Sequence, residues 1–147
     1  MGENLKEKEL LNCWGYEVPV DISRYLKKLN IYVDSRGLEE DLYAFIEDNQ
    51  IIINSNISLI KVRRYIIAHS IYYILHNYKN KEVNKQDCFW ERGILENNLF
   101  AIKLLVPEKA VDYFLMKKNV TSIKELSEIF LVSEIAIKYR LKVLGYL

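Results

Sequence analysis

The chain of 147 residues predicts an α+β fold: a small antiparallel or mixed sheet, a buried central helix and a C-terminal helix-turn-helix-like unit. Three observations carry that prediction. Two β-rich runs, Leu42–Glu47 and Gln50–Asn54, flank the polar pair Asp48-Asn49, which is the pattern of a hairpin. The segment from Leu59 to Tyr78 is apolar on most sides, as expected of a helix sunk in a core. The tail from Ser122 to Leu147 holds two short amphipathic stretches joined by a turn.

Taken in order, Leu5 to Tyr16 predicts a short helix ending at Gly15. Val18-Pro19-Val20-Asp21 breaks the chain, and Asp21 caps the next helix. Ile22, Tyr25, Leu26 and Leu29 recur at i, i+3, i+4 and i+7, one face of that second helix. Ile31-Tyr32-Val33 is β-branched and aromatic and predicts a strand before the hairpin. The buried helix uses Ile60, Tyr65, Ile66, Ala68, Ile71, Tyr72, Ile74 and Leu75. Lys79 to Asp87 is polar and predicts a loop. A helix over Phe89 to Leu105 stops at Pro107, which opens a further helix from Glu108 to Lys117. Ile123, Leu126, Ile129 and Phe130 line the first tail helix, and Ile135, Ala136, Tyr139, Leu141 and Leu144 the second. The expected division is a domain over 1–117 with the helical unit 118–147 packed on it.

Composition narrows the function classes. A net charge of +1 argues against a large nucleic-acid footprint. Lys138, Arg140 and Lys142 offer phosphate contacts, but Glu125, Glu128 and Glu134 lie close by, so a nucleic-acid partner is not expected. Cys13 and Cys88 are too few for a disulfide framework and suit a reducing compartment. The charged start lacks the apolar core of a signal peptide, and no apolar run approaches the ~20 residues of a membrane span. The expected location is the cytoplasm. Eleven tyrosines favour an interaction surface.

The central helix carries Ala68-His69-Ser70-Ile71-Tyr72-Tyr73. In a zinc-peptidase helix, His-Glu-x-x-His turns two imidazoles to one metal and holds a carboxylate base between them. Here His69 stands in the first place, Ser70 replaces the Glu and Tyr73 the second His.

Five segments in order resemble the ImmA/IrrE family of small metallopeptidases. Pro19-Val20-Asp21-Ile22 with Leu26-Lys27-Lys28-Leu29 resembles its opening helix, and Ile51-Ile52-Ile53-Asn54 its strand before the active-site helix. Arg63-Arg64-Tyr65-Ile66-Ile67-Ala68-His69 resembles its Arg-x-x-x-x-Ala-His lead-in. Glu96-Asn97-Asn98-Leu99-Phe100-Ala101-Ile102-Lys103-Leu104-Leu105-Val106-Pro107 resembles Glu-Ala-Asn-x-Phe-Ala-x-x-Leu-Leu-Met-Pro. Leu126 to Ser133, with Arg140-Leu141 and Leu144 to Leu147, resembles the terminal helical unit.

The resemblance implies a zincin-like fold whose metal ligands fall at His69, Tyr73 and Glu96, with the base position at Ser70. Phenolate is an uncommon zinc ligand, with a reference pKa of about 10. A serine hydroxyl cannot replace a base that contributes about 10²–10⁴-fold. His76 lies about 10.5 Å along the axis from His69, too far to share one ion. The expectation is therefore a vestigial site at His69, Ser70, Tyr73 and Glu96, without catalysis or cofactor. In it, His69 pairs with Glu96, Tyr72 and Tyr73 fill the old cavity, and His76 is exposed in the last turn. The metal alternative keeps zinc on His69 and Glu96 with Cys88 or Asp87 drawn in, giving an active peptidase with a rearranged site.

The resemblance also implies a protein partner. Members of the family it resembles commonly sit in phages and integrative elements, where they remove helix-turn-helix repressors, so a repressor or another host protein is the expected target. The strand Gln50, Ile51, Ile52, Ile53 and Asn54 is the expected groove edge, by strand addition. A further alternative is a mobile-element inhibitor of a host defence nuclease, of the anti-CRISPR kind.

Overall fold

The computed structural model describes residues 5–12, 17–88 and 96–147, with Glu96 and Asn97 described in backbone only. The chain divides into two compact units: Ile22–Ala101, and Met1–Asp21 with Ile102–Leu147. This differs from the expected boundary at 117/118. The helices after Pro107 fall in the same unit as the tail helices, and Phe114 meets Phe130 edge-on with ring centres 6.0 Å apart.

The unit Ile22–Ala101 holds α2 (Ile22–Leu29), β1 (Tyr32–Arg36), β2 (Leu42–Glu47), β3 (Gln50–Asn54), α3 (Ile60–Leu75), β4 (Asn80–Asn84) and a short 3-10 turn (Lys85–Cys88). The four strands form one mixed sheet in the order β1-β3-β2-β4. The hairpin is as the sequence predicts: β2 runs antiparallel to β3, with Ala44 opposite Ile53 and Glu47 opposite Gln50. Asp48 takes the left-handed backbone (φ 52°) that the two-residue turn requires. β1 runs parallel to β3. It continues through Asp34-Ser35-Arg36, beyond the apolar residues that predict it, because these three pair with Ile52, Ile53 and Asn54 of β3.

Two expectations are corrected. Lys79 to Asp87 is not all loop, since β4 pairs antiparallel with β2 over Leu42–Glu47. Its composition is poor for a strand; the ladder to β2 and the fully buried Val83 hold it there. β3 is not a groove edge. Gln50–Asn54 pairs with β1 on one side and β2 on the other, and Ile51, Ile52 and Ile53 are buried. A strand with both ladders taken cannot accept a third. Asn54 is also structural: its Nδ2 donates to the carbonyls of Leu42 (2.8 Å) and Glu39 (3.0 Å). Its Oδ1 accepts from the N–H groups of Leu38 and Asn56, tying the loop before β2 to the end of β3.

α3 lies against β2 and β3. Ile66, Ala68, His69, Ser70, Ile71, Tyr73 and Leu75 are its buried residues, a breadth of face that matches its apolar sequence. α4 (Glu96–Leu105) begins in this unit; the residues before Glu96 in the predicted helix from Phe89 lie outside the described ones.

The second unit contains α1 (Leu5–Leu11), the rest of α4, α5 (Glu108–Asp112), a π-helical turn (Tyr113–Lys117), α6 (Ile123–Phe130) and α7 (Glu134–Val143). The single predicted helix over 108–117 widens at Tyr113 into that π turn. Ser122 caps α6 by accepting from the Glu125 N–H, and Ser133 caps α7 by accepting from the Ala136 N–H. Leu131 turns the corner in the left-handed region (φ 55°). Arg140 is buried on α7, and its Nε donates to the carbonyl of Val106 at 2.7 Å, just past the end of α4. No described helix is long and apolar enough to cross a membrane.

Candidate functional site

The helical period decides which α3 side chains share a face. Tyr65, His69 and Tyr73 are each four residues apart and stack along one stripe. The His69 ring meets Tyr73 edge-on, with centroids 5.3 Å apart and planes at 76°. Tyr65 lies 5.8 Å away on the other side. His69 is fully buried and Tyr73 nearly so, at 6 % exposure. Lys81 of β4 places its Nζ 5.2 Å from the Tyr73 ring centre, and Tyr78 packs edge-on against the same ring at 5.1 Å. Tyr73 is thus packed against His69, Tyr78 and Lys81.

Asn98, from the first turn of α4, completes the cluster. It shares a side-chain hydrogen bond with His69. Its Oδ1 accepts from the Tyr65 hydroxyl, and its Nδ2 reaches the carbonyl of Asp87 at 3.4 Å. The expected His69–Glu96 pair lies outside the described side chains. Asn98 is the residue that sequence reasoning missed. Its signal was present, since it matches the Asn of the Glu-Ala-Asn pattern two positions after Glu96.

Ser70 faces elsewhere. Its Oγ donates to the carbonyl of Ile66 at 2.7 Å, one turn back along α3, and the residue is fully buried. His76 is half-buried rather than exposed, because its ring stacks on Tyr72 at 4.1 Å. Tyr72 also touches Phe100 of α4, with ring centres 5.8 Å apart.

Electrostatics follow from burial. Loss of water pushes the His69 imidazole down to about 4. Asp87 and the Asn98 hydrogen bond oppose that fall, while Lys81 adds to it. Burial, with Asp87 nearby, pushes the Cys88 thiol up to about 12. Burial also raises Tyr65, and Cys88 and Tyr73 add to that. At neutral pH the cluster holds a neutral His69 imidazole, a protonated Tyr65 phenol, a protonated Cys88 thiol and the Asn98 amide. It can donate and accept hydrogen bonds, but none of these shifted groups is tuned near 7 as a general base should be.

A resident zinc needs three protein donors that bind as anions or neutral imidazoles. Among the described residues, no three His, Cys, Asp or Glu side chains converge. His69 supplies one suitable nitrogen. Tyr73 presents a ring edge to it, and Asp87 accepts from the Asn84 N–H at 2.8 Å. Of the three family ligand positions, His69 is the one described donor of the usual kind, and the Glu96 side chain lies outside the described residues.

No curated protein matches the chain. A family model, the IrrE N-terminal-like domain of Peptidase_M78, matches residues 26–142, a span that takes in the whole sheet, α3, α4 and nearly all of the two tail helices. The chain belongs to that family, the ImmA/IrrE-like metallopeptidases.

Proposed function

We propose that this chain is a catalytically inactive member of its family and acts by binding another protein. One observation carries the reading: the hydroxyl at the base position is spent on the Ile66 carbonyl, and the ring at the second-ligand position is wedged against His69. A working site would need Ser70 turned toward a bound water and Tyr73 ionised. The first would break a buried hydrogen bond, and the second would place a charge where little water reaches. What remains is a buried cluster of packed rings and hydrogen-bonded polar groups. The target in this reading is a helix-turn-helix repressor or another host protein, and the chain is the product of a phage or mobile element.

The rearranged-metal reading would draw in Cys88 and Asp87. The thiol is held protonated, and Asp87 already closes the turn after β4. The observations favour the inactive form.

The test is thermal unfolding with and without excess zinc, on the wild-type chain and on Ser70→Glu/Tyr73→His. A ligand at 100 times its Kd stabilises by about 2.7 kcal/mol, which moves Tm by several degrees in a domain this size. The expectation is no shift for wild type and a shift for the double variant. A wild-type shift lost on His69→Ala would overturn the proposal.

A further inference from the structure

β1 is an outer strand of the sheet, and among the described residues β3 alone pairs with it. The Tyr32 N–H donates to the carbonyl of Asn49 at 3.0 Å, and the Arg36 carbonyl accepts from the Ser55 N–H at 2.8 Å. Even-numbered residues thus turn their backbone groups inward. Backbone groups alternate along a strand, so those of Val33 and Ser35 point away from the sheet. Among the described residues, much of this edge faces solvent: Tyr32 is 71 % exposed and Val33 37 %. At the start of β1 lies an open depression of about 420 Å³, lined by Tyr32, Glu47, Asp48, Asn49 and Gln50. It offers two carboxylates and an aromatic face, with no basic side chain among its walls.

We propose that the β1 edge receives an extended segment of a partner protein, which lays an Arg or Lys side chain into this depression. Main-chain bonds at Val33 and Ser35 would hold the segment. Glu47 and Asp48 would select the cation, and the Tyr32 ring adds a cation–π contact. The proposal rests on the reading of the chain as a protein-binding module and moves its contact surface from β3 to the sheet edge opposite β4. One feature opposes entry. Asp34 Oδ1 accepts the Ser35 N–H at 2.9 Å, and Oδ2 accepts from the Arg36 Nε at 2.8 Å. Such a carboxylate protects an edge from casual pairing, and an incoming strand must displace it.

The experiment is fluorescence anisotropy with a labelled peptide of alternating Val and Thr that ends in Arg, titrated with the wild-type chain at low salt. A control peptide ends in Glu. The variant is Glu47→Gln/Asp48→Asn, in which Asn suits the left-handed backbone at position 48 (φ 52°). Its fold is checked by circular dichroism. Saturable binding of the Arg peptide, about tenfold weaker in the variant and absent for the Glu peptide, is expected. Equal binding of both peptides, equal binding by the variant, or no saturable binding would overturn the proposal. So would a concentration-dependent dimer in sedimentation that Arg36→Glu abolishes, because a second copy would then fill the edge. The zinc thermal shift stands whichever way this falls, so failure at β1 is separable from failure of the inactive-site reading.

Discussion

Acid should unfold this protein through His69. In the unfolded chain the imidazole titrates near 6.5, and in the folded chain burial holds it at about 4. The folded value is depressed, so the native state resists the proton that the unfolded state accepts. Stability is whole above the unfolded value, falls as pH drops below 6.5, and stops falling below about 4. The gap corresponds to about 3 kcal/mol in the limit, of which about 2 kcal/mol is lost by pH 5. Because His69 is fully buried, solvent screening takes little off this figure. Denaturant unfolding at pH 7.5 and pH 5 measures it, with His69→Gln as the control. Gln keeps a hydrogen-bonding group near Asn98 and cannot titrate in this range. Wild type should lose about 2 kcal/mol more than His69→Gln between the two pH values, whatever the shared carboxylates contribute. Equal losses in the two proteins would refute the reasoning and show that water reaches the imidazole.

Three substitutions test the supports around the site. Asn54→Ala strands the carbonyls of Leu42 and Glu39 and two N–H groups, and should cost about 3 kcal/mol by denaturant unfolding. The loss should come with faster amide exchange in residues 38–42. Arg140→Met removes a buried charge-assisted donor from the Val106 carbonyl and should cost about 2 kcal/mol in the same assay. Ser70→Ala deletes only a back-bond to Ile66 and should change stability by less than about 1 kcal/mol, with no change in partner binding.

Much of this was legible in the sequence where local pattern and packing agree. The hairpin occupies the residues that the alternating runs and the Asp48-Asn49 pair predict. The long apolar helix sits one residue inside its predicted start and three inside its predicted end. β4 was not legible, because Asn80-Lys81-Glu82-Val83-Asn84 has no strand pattern of its own and is ordered by the edge it meets. The parallel pairing of β1 with β3 was hidden for a similar reason. It places β3 inside the sheet and removes Gln50–Asn54 as a groove, and no property of those five residues distinguishes an inner strand from an edge. At the site, the four-residue spacing of Tyr65, His69 and Tyr73 announces the stripe. Asn98 was harder to see, since its role depends on where α4 crosses α3.

The central claim is that the site no longer holds a metal. Zinc, iron and manganese content by mass spectrometry, on tag-free protein purified without chelator, tests it most directly. Far less than one equivalent of any of the three is expected. Close to one equivalent, lost on His69→Ala or Glu96→Ala, would contradict the claim and mean that the metal centre had been rebuilt around Tyr73.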